Sequence, residues 1–242
     1  MKKSTVEQWN AFWTKHNLES VNKITEELDT FALEGKLIVE IGAGSGTTAI
    51  DIARKGAKVV CLDYSPDAVN LIKKNSAAAN TAVYPVLADA QKIPLKNEVF
   101  DFCYHQGFLE HFRDPLKMLN EQYRIIKNKG YLIVDVPQRY NIYTLTKHIK
   151  IMLNKWFAGW ETEYSSRKLK RILVSAGFSP IHFFGRYHIR NIGRIQDRLL
   201  RFRIIPKFIE SLYGSLIRKL ENTWLGYSTA FTIGVVAQKI QK

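Results

Sequence analysis

Short apolar runs alternate with amphipathic helical patterns along most of the chain. Five apolar runs have the length and composition of buried strands, and they fall at Leu37–Ile41, Lys58–Leu62, Ala82–Leu87, Phe100–Tyr104 and Tyr131–Val136. Helical periodicity fills the intervals, at Thr47–Lys55, Pro66–Asn75 and Pro115–Ile126. Because short buried strands that alternate with helices form parallel sheets covered on both faces, this order predicts an α/β fold.

The later part of the chain continues the pattern more loosely. Ser165–Ala176 predicts a helix, and Pro180–Tyr187 and Ser228–Ala237 predict two further strands. Together these elements predict a single domain, residues 1–242, with a Rossmann-like, seven-stranded, mostly parallel sheet and helices on both faces. The two long interruptions, 137–164 and 188–227, are predicted to be basic helical cap insertions that gather over the carboxyl edge of the sheet.

Positive charge is concentrated in the second part of the chain. Residues 1–142 carry 18 Lys and Arg against 17 Asp and Glu, whereas residues 143–242 carry 18 against 5. The insertions combine this charge with helical spacing of apolar residues and with Trp156, Phe157 and Trp160. An anionic membrane surface is one expected partner and RNA a second, and the alternative is a lid that packs only on its own domain.

Targeting signals and disulfides are not predicted. The N-terminal sequence MKKSTVEQWN has no apolar stretch behind its lysines, and no stretch of about 18 uncharged apolar residues occurs. Cys61 and Cys103 both lie inside apolar runs and are predicted to be reduced core residues. We therefore expect a cytoplasmic protein, peripheral on the inner face of the membrane if the cap binds lipid.

The sequence VEIGAGSG joins the first predicted strand to the first predicted helix. Its glycines, Gly42, Gly44 and Gly46, let the backbone approach a ligand closely at a helix N-terminus. Dinucleotide-binding loops have the spacing G-x-G-x-x-G, whereas the spacing here is G-x-G-x-G. Glu40 adds a carboxylate that suits a cationic ligand better than a pyrophosphate.

Two more carboxylates follow at the ends of the next strands. Asp63 lies 21 positions after Gly42, where an acid accepts both hydroxyl groups of a ribose. Tyr64 beside it is placed to pack on an adenine ring, and Asp89 is placed to accept from an adenine amino group. Acids at three successive strand ends, together with the glycine loop, predict a site for a cationic nucleoside-containing ligand.

These stretches resemble the class I S-adenosylmethionine-dependent methyltransferases, most closely the type 11 group that acts on small molecules. The resemblance covers roughly residues 37–136 and rests on VEIGAGSG, CLDYSPDAV, LADAQKIPL, FDFCYHQGFLEHFRDP and KNKGYLIVDVP, and RKLKRILVSAGF is similar to a later segment of the family. It implies that the cofactor is S-adenosylmethionine and that the residues binding it are Glu40, Gly42, Ala43, Gly44, Asp63, Tyr64, Asp89, Ala90, His105 and Gln106. The last two would face the methionine part, largely through their backbone.

Two histidines are candidate catalytic bases. Methyl transfer requires mainly alignment and exclusion of water, and a base is needed only when the acceptor must lose a proton. His105 is expected at the carboxyl end of the fourth strand, and His111 lies in the sequence LEHF. Histidine titrates near neutral pH and suits this role, although either residue has the alternative of a hydrogen-bonded structural histidine.

The acceptor is predicted mainly by the motifs that are missing. An Asn/Asp-Pro-Pro-aromatic loop for base nitrogens would fall where the chain reads Tyr104-His105-Gln106-Gly107. Both cysteines lie inside predicted strands, so neither suits nucleophilic attack on a pyrimidine, and the paired-glutamate loop of protein arginine methylation is absent. These features favour a small-molecule or lipid-like acceptor and no metal. The alternatives are an RNA methyltransferase and a non-catalytic cofactor-binding partner domain.

Overall fold

Seven strands form a single sheet in the computed structural model, which describes residues 5–15, 24–153, 161–186 and 223–241. The strands are β1 (Leu37–Ile41), β2 (Lys58–Asp63), β3 (Tyr84–Leu87), β4 (Phe100–Gln106), β5 (Ile126–Pro137), β6 (Phe178–Arg186) and β7 (Thr232–Lys239). The α-helices within these ranges are α1 (Val6–Lys15), α2 (Ile24–Leu28), α3 (Thr47–Ala53), α4 (Pro66–Ala78), α5 (Leu116–Ile125), α6 (Ile142–Met152), α7 (Ser166–Ser175) and α8 (Trp224–Thr229). A short 3-10 helix, Leu109–His111, follows β4.

The strand order is β3-β2-β1-β4-β5-β7-β6. β1 pairs in parallel with β2 and β4, β2 with β3, and β4 with β5. β7 runs antiparallel to both β5 and β6, so β6 has the same direction as the parallel strands. The predicted Rossmann-like, mostly parallel seven-stranded sheet is therefore confirmed.

Apolar side chains bury both faces of the sheet, because neighbouring residues of a strand point to opposite faces. One core cluster joins the strands to α5 and α7 and includes Val39, Cys103, Val134, Leu119 and Leu173. The other joins them to α2, α3 and α4 and includes Ile38, Cys61, Ile24, Ile50 and Ile72. Both cysteines are buried and free, as the apolar runs around them predict.

The structure differs from the predicted elements mainly at their ends. The sequence patterns did not predict α1 or α2. Ser228 was predicted to lie in the last strand, but it lies in α8, because the side chain of Thr223 caps a short helix by accepting from the N–H of Gly226 at 3.3 Å. β5 begins at Ile126, directly after α5, where no Gly or Pro marks the change from helix to strand.

Both predicted cap insertions follow strands that end at the carboxyl edge. The first contains α6, which begins after Asn141, whose side chain accepts from the N–H of Thr144 at 2.8 Å. Residues 154–160, with Trp156, Phe157 and Trp160, and residues 187–222 lie outside the described residues. The division into one domain with a basic helical cap therefore stays a prediction. No helix in the described ranges is long and apolar enough to cross a membrane.

Arg124 of α5 fixes the loop that follows β3. Its guanidinium donates to the carbonyl oxygens of Ile93 and Leu95, both at 2.8 Å, and to Asn97 Oδ1 at 2.6 Å. Two further bonds, at 2.9 and 2.8 Å, join it to the two carboxylate oxygens of Glu121. A planar fork of donors satisfies these acceptors together, which an ammonium group cannot do.

We expect the Arg124→Lys variant to lose about 1–2 kcal/mol of unfolding free energy, because the bidentate pair and at least one carbonyl contact are lost. Urea unfolding measures this difference. Arg167→Lys, at an exposed position of α7, is the matched control and should change stability by less than about 0.5 kcal/mol. Equal stability of the two variants would contradict the role assigned to Arg124.

Candidate active site

The loop between β1 and α3 turns on three glycines. Gly42, Gly44 and Gly46 have φ values of 70°, 54° and 70°, in the left-handed region that side chains disfavour. The N–H groups of Gly42 and Ala43 donate to the carbonyl of Leu62 in β2, at 2.8 and 3.2 Å. The loop thus rises from the carboxyl edge of β1 and leads directly into the N-terminus of α3.

Asp63, the last residue of β2, is hydrogen-bonded to the glycine loop. Its Oδ2 accepts from the N–H of Gly44 and its Oδ1 from the N–H of Ser65, each at 2.9 Å. The side chain is 4% exposed. Burial raises the pKa of Asp63, and the N–H donors of Ser65 and Gly44 oppose that shift. Each carboxylate oxygen retains a second lone pair that can accept a hydroxyl group.

Glu40 lies in β1, two residues before the loop, and is also buried. Its Oε2 has no hydrogen-bond partner. Burial raises the pKa of Glu40 to about 8; the nearby Tyr104 hydroxyl opposes the shift and the Asp63 carboxylate adds to it. Two buried carboxyl groups thus lie at adjacent strands near the carboxyl edge, where their ionised forms favour a cation.

The other predicted cofactor residues occupy three different environments. Tyr64 is half-buried, and its hydroxyl donates to the carbonyl of Thr5 at 3.4 Å. Asp89 is exposed, and its carboxylate accepts from the N–H of Gln91 at 2.8 Å. Ala90 is buried in the core cluster under α5. Tyr64 and Asp89 therefore remain accessible at the carboxyl edge, whereas the methyl group of Ala90 faces the interior.

His105 lies in the core rather than at the edge of the sheet. It is fully buried, and neither ring nitrogen has a hydrogen-bond partner. Burial lowers the pKa of His105 to about 3, opposed by the adjacent Gln122 side chain of α5. A histidine in this setting is neutral, and its role as a base stays a prediction. Its backbone is still available at the carboxyl end of β4.

An aromatic face of α1 covers the glycine loop, and the sequence patterns did not predict it. A Cβ atom placed on Gly44 would lie 2.3 Å from the ring of Trp13, and one placed on Gly42 would lie 2.3 Å from the ring of Phe108. Ser65 Oγ donates to Asn10 Oδ1 at 2.5 Å and holds α1 beside α4. The only available signal was the spacing of Trp and Phe in EQWNAFWTK.

His111 lies in the 3-10 helix after β4, and α1 reaches it as well. The ring of Trp9 meets the ring of His111 edge to face, with centroids 5.1 Å apart. His111 is only partly buried. Of the two histidines proposed as bases, it is therefore the one near the accessible part of the edge, but no distance to an acceptor supports the assignment, which stays a prediction.

A second group of polar side chains lies beside the first, at the ends of β4 and β5. Gln106 and Asp135 are neighbours in register, and Gln106 Nε2 donates to Asp135 Oδ2 at 3.1 Å. Glu110 follows in the 3-10 helix and is 3% exposed. Sequence reasoning selected Gln106 but missed Asp135 and Glu110. The strand-end rule that selected Asp63 would also have selected Asp135.

Lys147 of α6 joins this group to the segment that precedes α7. Its side chain is fully buried, and its ammonium pairs with Glu161 at 3.1 Å and Glu163 at 2.9 Å. The N–H of Thr162 donates to the carbonyl of Glu110 at 2.8 Å, which brings this segment against the 3-10 helix. The carboxyl edge thus has two adjoining polar regions. The glycine-loop side contains Glu40 and Asp63, and the Glu110 side contains Gln106, Glu110 and Asp135. The described residues contain no group of His, Cys, Asp and Glu that could hold a metal ion.

Comparison with known proteins finds similarity to methyltransferases. A family model described as "Methyltransferase domain" matches residues 39–134, which span β1 to β5. A chain in the solved complex of the Haloferax volcanii Trm112 methyltransferase activator with a methyltransferase has a matching fold. The TM-score is 0.67 and the identity 17%, and the match covers all of this chain and all of that one. Residues 39–134 are therefore similar to the methyltransferase domain family, and the structure shares the fold of a solved methyltransferase.

Two curated relatives are each similar to part of the chain. The chloroplast 2-methyl-6-phytyl-1,4-hydroquinone methyltransferase 1 of rice is 30% identical over 122 residues, 47% of this chain and 36% of the rice protein. The tRNA U34 carboxymethyltransferase of Hahella chejuensis is 28% identical over 157 residues, 62% of this chain and 46% of that protein. The chain thus spans less than half the length of these relatives.

The residues of the glycine-loop side fit S-adenosylmethionine. The cofactor carries positive charge on its sulfonium and its amino group, and the unpartnered Glu40 Oε2 and the nearby Asp63 carboxylate complement that charge. Gly42 and Gly44 have no side chains, because the rings of Phe108 and Trp13 occupy the space that side chains there would fill. When bound, the cofactor supplies a methyl group activated by a sulfonium leaving group.

We expect cofactor binding to release a proton from Glu40. At pH 7 the carboxyl is mostly protonated, since its pKa is about 8, and a cation bound beside it lowers that pKa. Affinity for S-adenosylmethionine should therefore rise with pH up to about 8 and then level off. Calorimetry in buffers of different ionisation enthalpy counts the released protons, and a Glu40→Gln variant should release fewer and bind at least tenfold more weakly.

The same variant should gain stability without ligand. The folded pKa of Glu40 lies above its unfolded value, so Glu40 destabilises the fold increasingly as pH rises from about 4.5 to 8. Glu40→Gln should therefore stabilise the protein by at least about 1 kcal/mol more at pH 8 than at pH 5. The exposed Glu34→Gln is the control. A pH-independent effect of Glu40→Gln would contradict the assignment.

Trp13 should report cofactor binding. Its ring rests on Gly44, so a ligand that approaches the loop changes the surroundings of the indole. We expect S-adenosylhomocysteine to change the tryptophan fluorescence of the native protein and to have a much smaller effect on a Trp13→Phe variant. Trp224→Phe, at a residue of α8 that is 69% exposed, should retain the signal. A full signal without Trp13 would contradict this contact.

Proposed function

We propose that this protein transfers the methyl group of S-adenosylmethionine to a nucleophilic atom of a small organic acceptor. The observation that carries the proposal is the pair of buried carboxyl groups, Glu40 and Asp63, at the glycine loop on the carboxyl edge of the sheet. Open α/β sheets bind their ligands at this edge. A cationic methyl donor explains both the loop and the charge.

Each predicted cofactor residue has a proposed role. Asp63 would accept the ribose hydroxyls, Tyr64 would pack on the adenine, and Asp89 with Ala90 would border the adenine amino group. Gly42, Ala43 and Gly44 would contact the methionine part through their backbone, as would His105 and Gln106, and Glu40 would face the positive charge. The accessible positions of Tyr64 and Asp89 and the hydrogen bond from Gly44 to Asp63 support this arrangement.

The reaction is an in-line displacement. S-adenosylmethionine held at the glycine loop would supply the methyl group on a sulfonium leaving group, and the acceptor would supply the lone pair. The protein contributes alignment and exclusion of water. The aromatic rings of Trp13 and Phe108 lie against Gly44 and Gly42, where apolar side chains are suited to that exclusion.

A small acceptor is favoured by two observations. The rice relative is named for a hydroquinone substrate, and the position of the base-methylating motif reads Tyr104-His105-Gln106-Gly107 in this chain. The basic second part of the chain leads us to extend the proposal to a lipid-like acceptor met at an anionic membrane surface by a cytoplasmic protein. Each Lys or Arg near such a surface adds about 1 kcal/mol of binding free energy.

RNA is the second candidate acceptor. The Hahella relative is named for a tRNA substrate, and the excess of 13 positive charges in residues 143–242, 18 basic against 5 acidic, would also attract phosphates. Co-sedimentation with anionic liposomes and a gel shift with tRNA separate the two surfaces. Binding to neither would leave the cap as a lid on its own domain.

We expect Asp63→Asn to weaken S-adenosylmethionine binding by about 1–3 kcal/mol, because one charge-assisted acceptor for the ribose is lost. Calorimetry measures the affinity, and a radiolabelled methyl group followed into fractionated lipid and soluble extracts measures transfer. Asp51→Asn, on α3 outside the site, is the control. Unchanged affinity would remove Asp63 from the site, and cofactor binding without transfer to any fraction would support a non-catalytic partner domain.

A further inference from the structure

Glu110 has a buried carboxyl oxygen that nothing in the structure satisfies. The side chain is 3% exposed, and Oε2 makes no hydrogen bond. Leaving such an atom unpaired is unfavourable, and an unpaired buried group of this kind is accounted for where a ligand completes it or where it has a chemical task. The position of Glu110 in the fold favours the explanation by a ligand, because the residue follows the carboxyl end of β4, next to the glycine-loop side.

The neighbours of Glu110 are mostly acidic. Asp135 and Glu161 both add to the rise in the pKa of Glu110, whose main cause is burial, and Lys147 opposes it. Lys147 is engaged elsewhere, since its ammonium pairs with Glu161 and Glu163 at 3.1 and 2.9 Å. Among the described residues around Glu110, no side chain therefore supplies a donor to Oε2.

The raised pKa of Glu110 favours the neutral acid in the free protein. A ligand that completes the group as a carboxylate must bring a hydrogen-bond donor, and its charge can be inferred. An anion would be repelled by the surrounding carboxylates. A neutral hydroxyl would supply a donor but leave the repulsion between the carboxyl groups in place. An ammonium group supplies donors and compensates the charge, and buried charges are stable only when they are paired in this way.

We propose that the methyl acceptor is an amine and that Glu110 is the catalytic residue that accepts its proton. The amine arrives as an ammonium ion held by Glu110 beside Asp135. The N–H bond breaks, the proton passes to Glu110 Oε2, and the nitrogen lone pair is freed. That lone pair then forms the bond to the methyl carbon as the bond from carbon to sulfur breaks, which yields a methylammonium product and a neutral thioether. This inference rests on the proposed methyl transfer.

His105 and His111 are less suited to this step. The imidazole of His105 is enclosed under α5, and the ring of His111 packs against Trp9. Glu110 instead has an unpartnered oxygen among groups that hold a cation. Its position is also fixed on two sides, because the N–H of Thr162 donates to its carbonyl at 2.8 Å and the hydroxyl of Tyr164 donates to the carbonyl of Leu109 at 3.4 Å.

The chemical class of the product tests the acceptor. Full-length protein is incubated with radiolabelled S-adenosylmethionine and small-molecule, lipid and RNA fractions of a cell extract. We expect the labelled product to bind a cation-exchange resin at neutral pH and to enter organic solvent only at alkaline pH. Label that enters organic solvent at every pH, as a methylated quinol would, or label in RNA overturns the amine while leaving methyl transfer intact. Label in no fraction overturns the proposed function itself.

Variants test the role of Glu110. Glu110→Gln should lower kcat at least 100-fold, the usual contribution of a proton acceptor, and leave the affinity for S-adenosylmethionine within about twofold. Glu110→Asp should restore part of kcat, which a purely structural role would not predict. Glu34→Gln, exposed and remote, is the activity control. Thermal unfolding of each variant checks the fold, and full turnover by a folded Glu110→Gln protein overturns the assignment.

Discussion

The parallel direction of β1, β2, β4 and β5 is the constraint on which the site depends. Parallel strands in register end at one edge, so residues far apart in sequence are brought within hydrogen-bonding distance there. The bond from the N–H of Gly44 to Asp63 is the most direct example, since it joins the ends of β1 and β2 across 19 positions. The same geometry brings Gln106 of β4 against Asp135 of β5.

The candidate site contains groups that lower the stability of the folded protein. Glu40, Asp63 and Glu110 are buried carboxyl groups whose pKa values burial raises, so each would be replaced by an apolar residue if folding were the only requirement. The surrounding sheet is apolar on both faces and tolerates this cost. Locally unfavourable groups collected at the ligand-binding edge of a well-packed sheet are typical of functional sites.

The strands and the cofactor loop could be predicted because their signals are local. β1 was predicted with its observed bounds, and the spacing of Gly42, Gly44 and Gly46 distinguished the loop from a dinucleotide turn. The ends of β5 and β7 were less predictable, because strand pairing rather than composition extends β5 back to Ile126 and delays β7 to Thr232. α1 was missed since its aromatic residues have meaning only where they contact the loop.

The order of the apolar runs, the glycine spacing and the acids at strand ends determined the fold class and the cofactor, because all three depend on neighbours in sequence. Only the tertiary structure decided which polar groups are buried and which of them lack a partner. His105 and Glu110 illustrate the difference. Both lie in one short sequence, yet packing under α5 encloses the histidine, whereas the approach of the segment before α7 leaves the glutamate among acidic groups. The burial of a polar side chain depends on how the helices pack on the sheet, so it cannot be predicted from the neighbouring residues in the sequence.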